Sequence, residues 1–187
     1  MALLDLVFVQ KKRTDEVVQV MVEIYGQDKV VANTKEMVAL SIWFCTFHNT
    51  LIGSIRFVSH GAGRYYENGK VQREGLFYIG YEMINSKVLT PNYTEYPQKS
   101  YIYHSLATLR PFFDRKAMVY VDACKAGEDT DLLKALSRVF GGIPVVGWDA
   151  DIEYSSYPNL KMKEYASGNM MVCVGNLCLY DPTPTRR

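Results

Sequence analysis

Two apolar runs in this chain end in side chains that can do chemistry. Ala117 to Gly127 reads AMVYVDACKAG and delivers Cys124; Ile52 to Gly63 reads IGSIRFVSHGAG and delivers His60. A thiol with an ordinary pKa of about 8.5 is mostly protonated at neutral pH, and a nearby imidazolium or helix N-terminus favours the reactive thiolate. Such a pair is suited to acyl transfer, with sulfur forming the covalent bond and the ring moving the proton. Gly61 and the Cys124–Gly127 turn allow close backbone approach, so their N–H groups can face a developing oxyanion.

The elements between these residues must bring them together. Leu3 to Val9 is a short apolar run that suits a strand buried on both faces. Thr14, Asp15 and Glu16 read as a helix start and Gly26 as its stop, although the β-branched Val17, Val18, Val20, Val22 and Ile24 fit an alternating strand as well. A second helix is expected from Thr34 to about Asn49, apolar on most of its circumference and so covered on more than one side. After the strand 52–58 come a polar stretch 64–74, a strand-like run 76–84 and a long loop 85–100. Ser105 is expected to cap a helix to about Arg115, with Pro111 as a kink or early end. The strand 117–121 leads to Cys124. Glu128 to Phe140 is the clearest helix, acidic in its first turn and ended by Gly141. A buried strand begins at Pro144, and Met170 to Tyr180 reads as a hairpin turning at Gly175 and Asn176.

This order predicts an α/β fold: a three-layer α-β-α sandwich with a mostly parallel sheet and a C-terminal β-hairpin. Parallel strands share one carboxyl edge, the usual place for a site in open α/β folds. His60 and Cys124 both follow apolar runs, so parallel neighbours would carry both to that edge.

The whole chain, residues 1–187, with 48% hydrophobic content, suits a single domain with a full core. Its net charge of +1 supplies no global field for nucleic acid or an anionic membrane, and neither is an expected partner. The start, MALLDLVFVQKKR, is a poor signal peptide and no apolar run reaches the ~18 residues of a membrane span, so a cytoplasmic protein is expected. Its four cysteines are then read as reduced thiols. Cys45 is read as core packing, His48 as a group near a helix end, and His104 as a helix-start or surface residue. Cys173 and Cys178 would sit opposite each other in the terminal hairpin, and packed thiols are preferred over a disulfide. They lack partners for a zinc site, and no phosphate-binding glycine loop is present; no metal or cofactor is expected.

A strand ending in Ser59-His60-Gly61, and later one ending in Asp122-Ala123-Cys124 before a glycine-bearing turn, resembles the caspase-like clan of cysteine peptidases, clan CD. This clan includes caspases, metacaspases, legumains, gingipains, separases and bacterial CHAT-type domains. The likeness spans residues 51–151 and looks most like the bacterial and metacaspase-like branches. It implies Cys124 as nucleophile, His60 as general acid/base, and the N–H groups of Gly61 and Cys124 as the oxyanion hole, with no third catalytic residue required. Asp122 resembles a metacaspase pocket acid, and Asp149 and Asp151 stand where that family places a second one. Together they imply a thiol endopeptidase that cleaves protein or peptide substrates after Arg or Lys. The alternative is a catalytically silent scaffold of the same fold. Lys87 and Lys99 in the loop 85–100 raise the further possibility of a self-processed zymogen or partner-dependent activation.

Overall fold

A computed structural model describes residues 3–12, 15–93, 95, 97–157, 160–165 and 168–181. The chain is mixed α/β, built on a six-stranded sheet whose strands lie side by side in chain order. They are β1 (Leu4–Val9), β2 (Ile52–Val58), β3 (Phe113–Asp122), β4 (Val145–Trp148), β5 (Met170–Val174) and β6 (Leu177–Asp181). The first four are mutually parallel, and β5 and β6 add to β4 as an antiparallel hairpin. Parallel neighbours cannot be joined by a tight turn, so helices occupy the connections. These are α1 (Glu16–Tyr25), α2 (Thr34–His48), α3 (Tyr101–Ala107) and α4 (Thr130–Val139).

Period-two alternation sorts the strand residues between two hydrophobic clusters. Leu6, Phe8, Ile55, Phe57, Val119 and Val121 join α2, α3 and α4 in the larger one. Val9, Val58 and Trp148 pack with Val18 and Met21 of α1 in the smaller. Leu132, Leu133 and Leu136 of α4 are fully buried, each worth about 1.5–3 kcal/mol. Asp129 caps α4 by accepting from the N–H groups of Asp131 and Leu132 at 3.1 and 3.2 Å. Its carboxylate also takes Arg64 Nη2 at 2.8 Å and the Gly75 N–H at 2.7 Å, anchoring the segment after His60 to the helix after Cys124.

Several expectations are revised. The helix expected from Ser105 to Arg115 is instead α3 followed by a short 3₁₀ turn at Arg110–Phe112, where Pro111 ends helical bonding and β3 begins early. The run 76–84 is not one strand: Gly80, at φ +61°, turns it into a hairpin of Leu76–Ile79 and Glu82–Ile84, and the Tyr81 N–H donates to Ala32 O. The polar stretch 64–74 carries a second small hairpin, Tyr65–Glu67 with Lys70–Arg73. Helix α2 is not covered all round, because Trp43 and Phe47 are 53% and 69% exposed and stack on each other. An antiparallel pair at Ile152–Tyr157 and Leu160–Tyr165 had no counterpart in the sequence reading. Cys173 and Cys178, opposite each other across β5 and β6, are joined by a disulfide rather than packed as thiols. No helix among the described residues is long and apolar enough to cross a membrane.

Candidate active site

Val9, Val58 and Asp122 form one row across β1, β2 and β3. Lys11, His60 and Cys124 each lie two residues beyond that row, so all three leave the sheet at one level of its carboxyl edge. The ladder continues past the strands: the Gln10 N–H donates to Val58 O at 2.9 Å and the Ser59 N–H to Asp122 O at 3.2 Å. Gly61 then seats the histidine loop on the cysteine turn. A Cβ there would fall 2.6 Å from Ala123 Cβ and 3.0 Å from the Cys124 nitrogen, so only glycine permits this approach.

His60 is held at both backbone groups and at its ring. Its N–H donates to Gln10 Oε1 at 2.8 Å, and its carbonyl accepts from Ser59 Oγ at 2.8 Å. Ser59 Oγ is in turn fixed by the Tyr78 N–H at 3.0 Å. The ring Nε2 meets Asp15 Oδ2 at 2.9 Å.

Asp15 is the residue that sequence reasoning missed, since it was read only as part of a helix start. It is the N-cap of α1, with Oδ1 accepting from the Val17 and Val18 N–H groups. The second oxygen remains for chemistry, and it takes Lys12 Nζ at 2.9 Å as well as the His60 ring. Burial pushes the Asp15 carboxyl pKa up, but the hydrogen bonds from Lys12, His60 and Val18 outweigh it and hold the group far below the ordinary carboxylate range. Asp15 is therefore an anion wherever His60 can act as a base.

Cys124 is half-buried, unlike the fully buried Cys45. Its sulfur accepts from the Ile152 N–H at 3.4 Å and donates to Ile152 O at 3.6 Å. No hydrogen bond joins the thiol to the His60 ring, so each partner is engaged with another group in this resting arrangement. Burial pushes the thiol pKa up; the Ile152 N–H opposes this, and the Asp151 carboxylate adds to it. Helix α4 does not start at the thiol: a 3₁₀ turn at Ala126–Glu128 intervenes, and Asp129 takes the N–H groups of Asp131 and Leu132. The next residue, Lys125, sits in the left-handed region at φ 55° and its N–H donates to Ala150 O at 2.9 Å. The turn carrying the thiol is thus tied to the loop after β4.

The three acids expected to share a pocket have different surroundings. Asp122 is fully buried and pairs with Arg56 Nη1 at 2.5 Å, while the Arg56 guanidinium lies 4.4 Å from the centre of the Tyr120 ring. Asp149 accepts from the Asn169 backbone and side chain and from the Tyr180 hydroxyl. Asp151 is 59% exposed, 3.9 Å from Lys125 Nζ, and near enough to act on the Cys124 thiol. Among the described residues no cluster of three or more His, Cys, Asp or Glu side chains could hold a metal ion.

The chain matches no protein-family model, no curated protein and no solved structure.

Proposed function

We propose that this chain is a thiol endopeptidase of caspase-like, three-layer architecture, with Cys124 as nucleophile and His60 as general acid/base. The observation that carries this reading is that His60 and Cys124 each lie two residues past the paired ends of adjacent parallel strands, with Gly61 packed on the cysteine backbone. Asp15 is assigned as the positioning residue that orients the ring through Nε2 and leaves Nδ1 to serve the thiol.

In the reaction, His60 accepts the thiol proton as Cys124 Sγ attacks a peptide carbonyl carbon. The Gly61 and Cys124 N–H groups face the tetrahedral oxyanion. The C–N bond breaks as His60 returns the proton to the leaving amine. Water, deprotonated by His60, then attacks the thioester carbon; the C–S bond breaks, His60 returns that proton to the Cys124 sulfur, and the acid product departs. A rotation of the Cys124 side chain away from Ile152 starts the cycle, and substrate or a partner protein bound over this loop would supply it.

The P1 preference proposed is Arg or Lys, with Asp151 as the recognising acid, since its carboxylate is exposed and adjacent to the nucleophile. Asp122 supports the pocket only indirectly, because Arg56 already neutralises it. A fluorogenic peptide panel differing only at P1 tests both assignments. Cleavage after Arg or Lys, abolished in Cys124→Ala, is expected; hydrolysis retained by that variant removes the mechanism, and cleavage after Asp alone reverses the specificity.

A catalytically silent scaffold is the second reading. What favours it is the engagement of thiol and ring with Ile152 and Asp15 rather than with each other. Hydrolysis of any peptide of the panel, lost on removing the thiol, discards it.

A further inference from the structure

The carboxyl edge carries charge in a fixed order. Following the strands from β1 to β4, it presents Lys11 and Lys12, then His60, then Cys124, then Asp151. On the histidine side Asp15 offsets Lys12 and leaves Lys11, and on the cysteine side stands the exposed carboxylate of Asp151, 3.9 Å from Lys125 Nζ.

The cationic end borders a built cleft. Gln10, Lys11, Lys12, Asp15, His60, Tyr78 and Tyr81 line an opening of roughly 350 Å³ directly beside the ring. Lys12 is committed to Asp15, and Asp15 divides its charge between Lys12 and His60. Lys11 is different: its ammonium lies 5.9 Å from the centre of the Tyr81 ring, and no carboxylate among the described residues forms an ion pair with it. The cleft therefore offers one uncompensated cation, placed over the face of a tyrosine that is 59% exposed. A carboxylate on a short flexible stem satisfies both surfaces, its methylenes on the aromatic wall and its oxygens at the ammonium.

Resting on the peptidase reading, we infer that this cleft is a second specificity subsite, which takes an acidic side chain of the substrate on the opposite side of the catalytic pair from Asp151. Three strand spacings separate β1 from β4, roughly 14 Å at the usual ~4.8 Å per strand. An extended peptide covers that distance in about four residues. The substrate class is thus a chain of mixed charge, with an acidic and a basic residue some four positions apart, and the two opposite charges fix the direction in which it lies.

The test is fluorescence anisotropy of labelled nonapeptides titrated into the full chain carrying Cys124→Ala, which measures binding without turnover. The parent peptide has Arg and Glu four positions apart, and its partner has Gln in place of Glu. The parent is expected to bind about three- to fivefold more tightly at low ionic strength, as an exposed ion pair allows, and this margin shrinks at physiological salt. Lys11→Met, which keeps the stem and removes the charge, is expected to erase the preference, and Lys11→Glu to reverse it, with circular dichroism confirming that both fold. Equal affinity for the two peptides, no binding of either, or a preference that survives Lys11→Glu overturns the subsite. Acid preference in a chain that hydrolyses nothing would keep the subsite and remove the peptidase, whereas an active enzyme indifferent to Glu does the opposite.

Discussion

Asp15 performs two tasks with its two oxygens, and a substitution separates them. Asparagine is as good an N-cap as aspartate, so Asp15→Asn keeps the start of α1 while removing the charge that faces His60. The expected result is a small drop in melting temperature, since the ionised carboxylate is the form the fold favours, beside a loss on the order of 100-fold in kcat/KM, the scale of a misplaced catalytic group. An equal loss of stability and activity would assign Asp15 to the helix alone. The thiol gives a pH prediction. With its pKa raised by burial and by Asp151, the alkylation rate of Cys124 by iodoacetamide should still be rising with pH above the ordinary thiol value of about 8.5. Removing the anion in Asp151→Asn favours the thiolate, so the profile moves to lower pH and alkylation at pH 7 becomes faster; a shift to higher pH contradicts the assignment. The common edge of residues 60 and 124 was legible because each follows an apolar run. Asp15 was not, since a cap signal looks the same whether or not its second oxygen has a partner.

At the scale of elements, the site depends on contacts that bind its loops to one another. Asp129 caps α4, pairs with Arg64 and accepts from Gly75, all from a fully buried carboxylate. Asp129→Ala removes the cap and leaves the mostly buried guanidinium of Arg64 without that partner, so a loss of about 3 kcal/mol is expected in urea unfolding. A loss below about 1 kcal/mol would mean that Asp131, which also meets Arg64, suffices. Strong helices such as α4 were readable from spacing and an acidic first turn. The segment 105–115 was misread because Leu106, Leu109, Phe112 and Phe113 fit a helical face, while Pro111 breaks the bonding and Phe113 pairs with Ile52 in β3. Likewise Trp43 and Phe47 look like core from sequence, yet no element among the described residues covers them. Asp149 and Asp151 do follow β4, but the partners of Asp149 are Asn169, on the approach to β5, and Tyr180, in β6, which no local pattern could supply.

For the molecule as a whole, what matters is strand order. Apolar runs with crossover helices implied a mostly parallel sheet, and the neighbours β2 and β3 then place residues 60 and 124 on one edge despite their separation in sequence. Side-chain pairing across that edge was beyond reach, because a buried Asp122 held by Arg56 and an exposed Asp151 read alike in a sequence. The measurement that bears most directly on the proposed pair is the rate of covalent capture of the purified chain by an arginyl acyloxymethyl ketone, followed by intact mass and peptide mapping. Such a reagent needs a nucleophile, a proton donor and a formed pocket together, whereas simple alkylation needs only a thiol. The expected result is one adduct, on Cys124, formed at least 100-fold more slowly in His60→Ala, as loss of a general acid/base implies, with iodoacetamide alkylation still able to reach the sulfur. No adduct, an adduct on Cys45, or capture at the same rate without the imidazole would contradict the proposal.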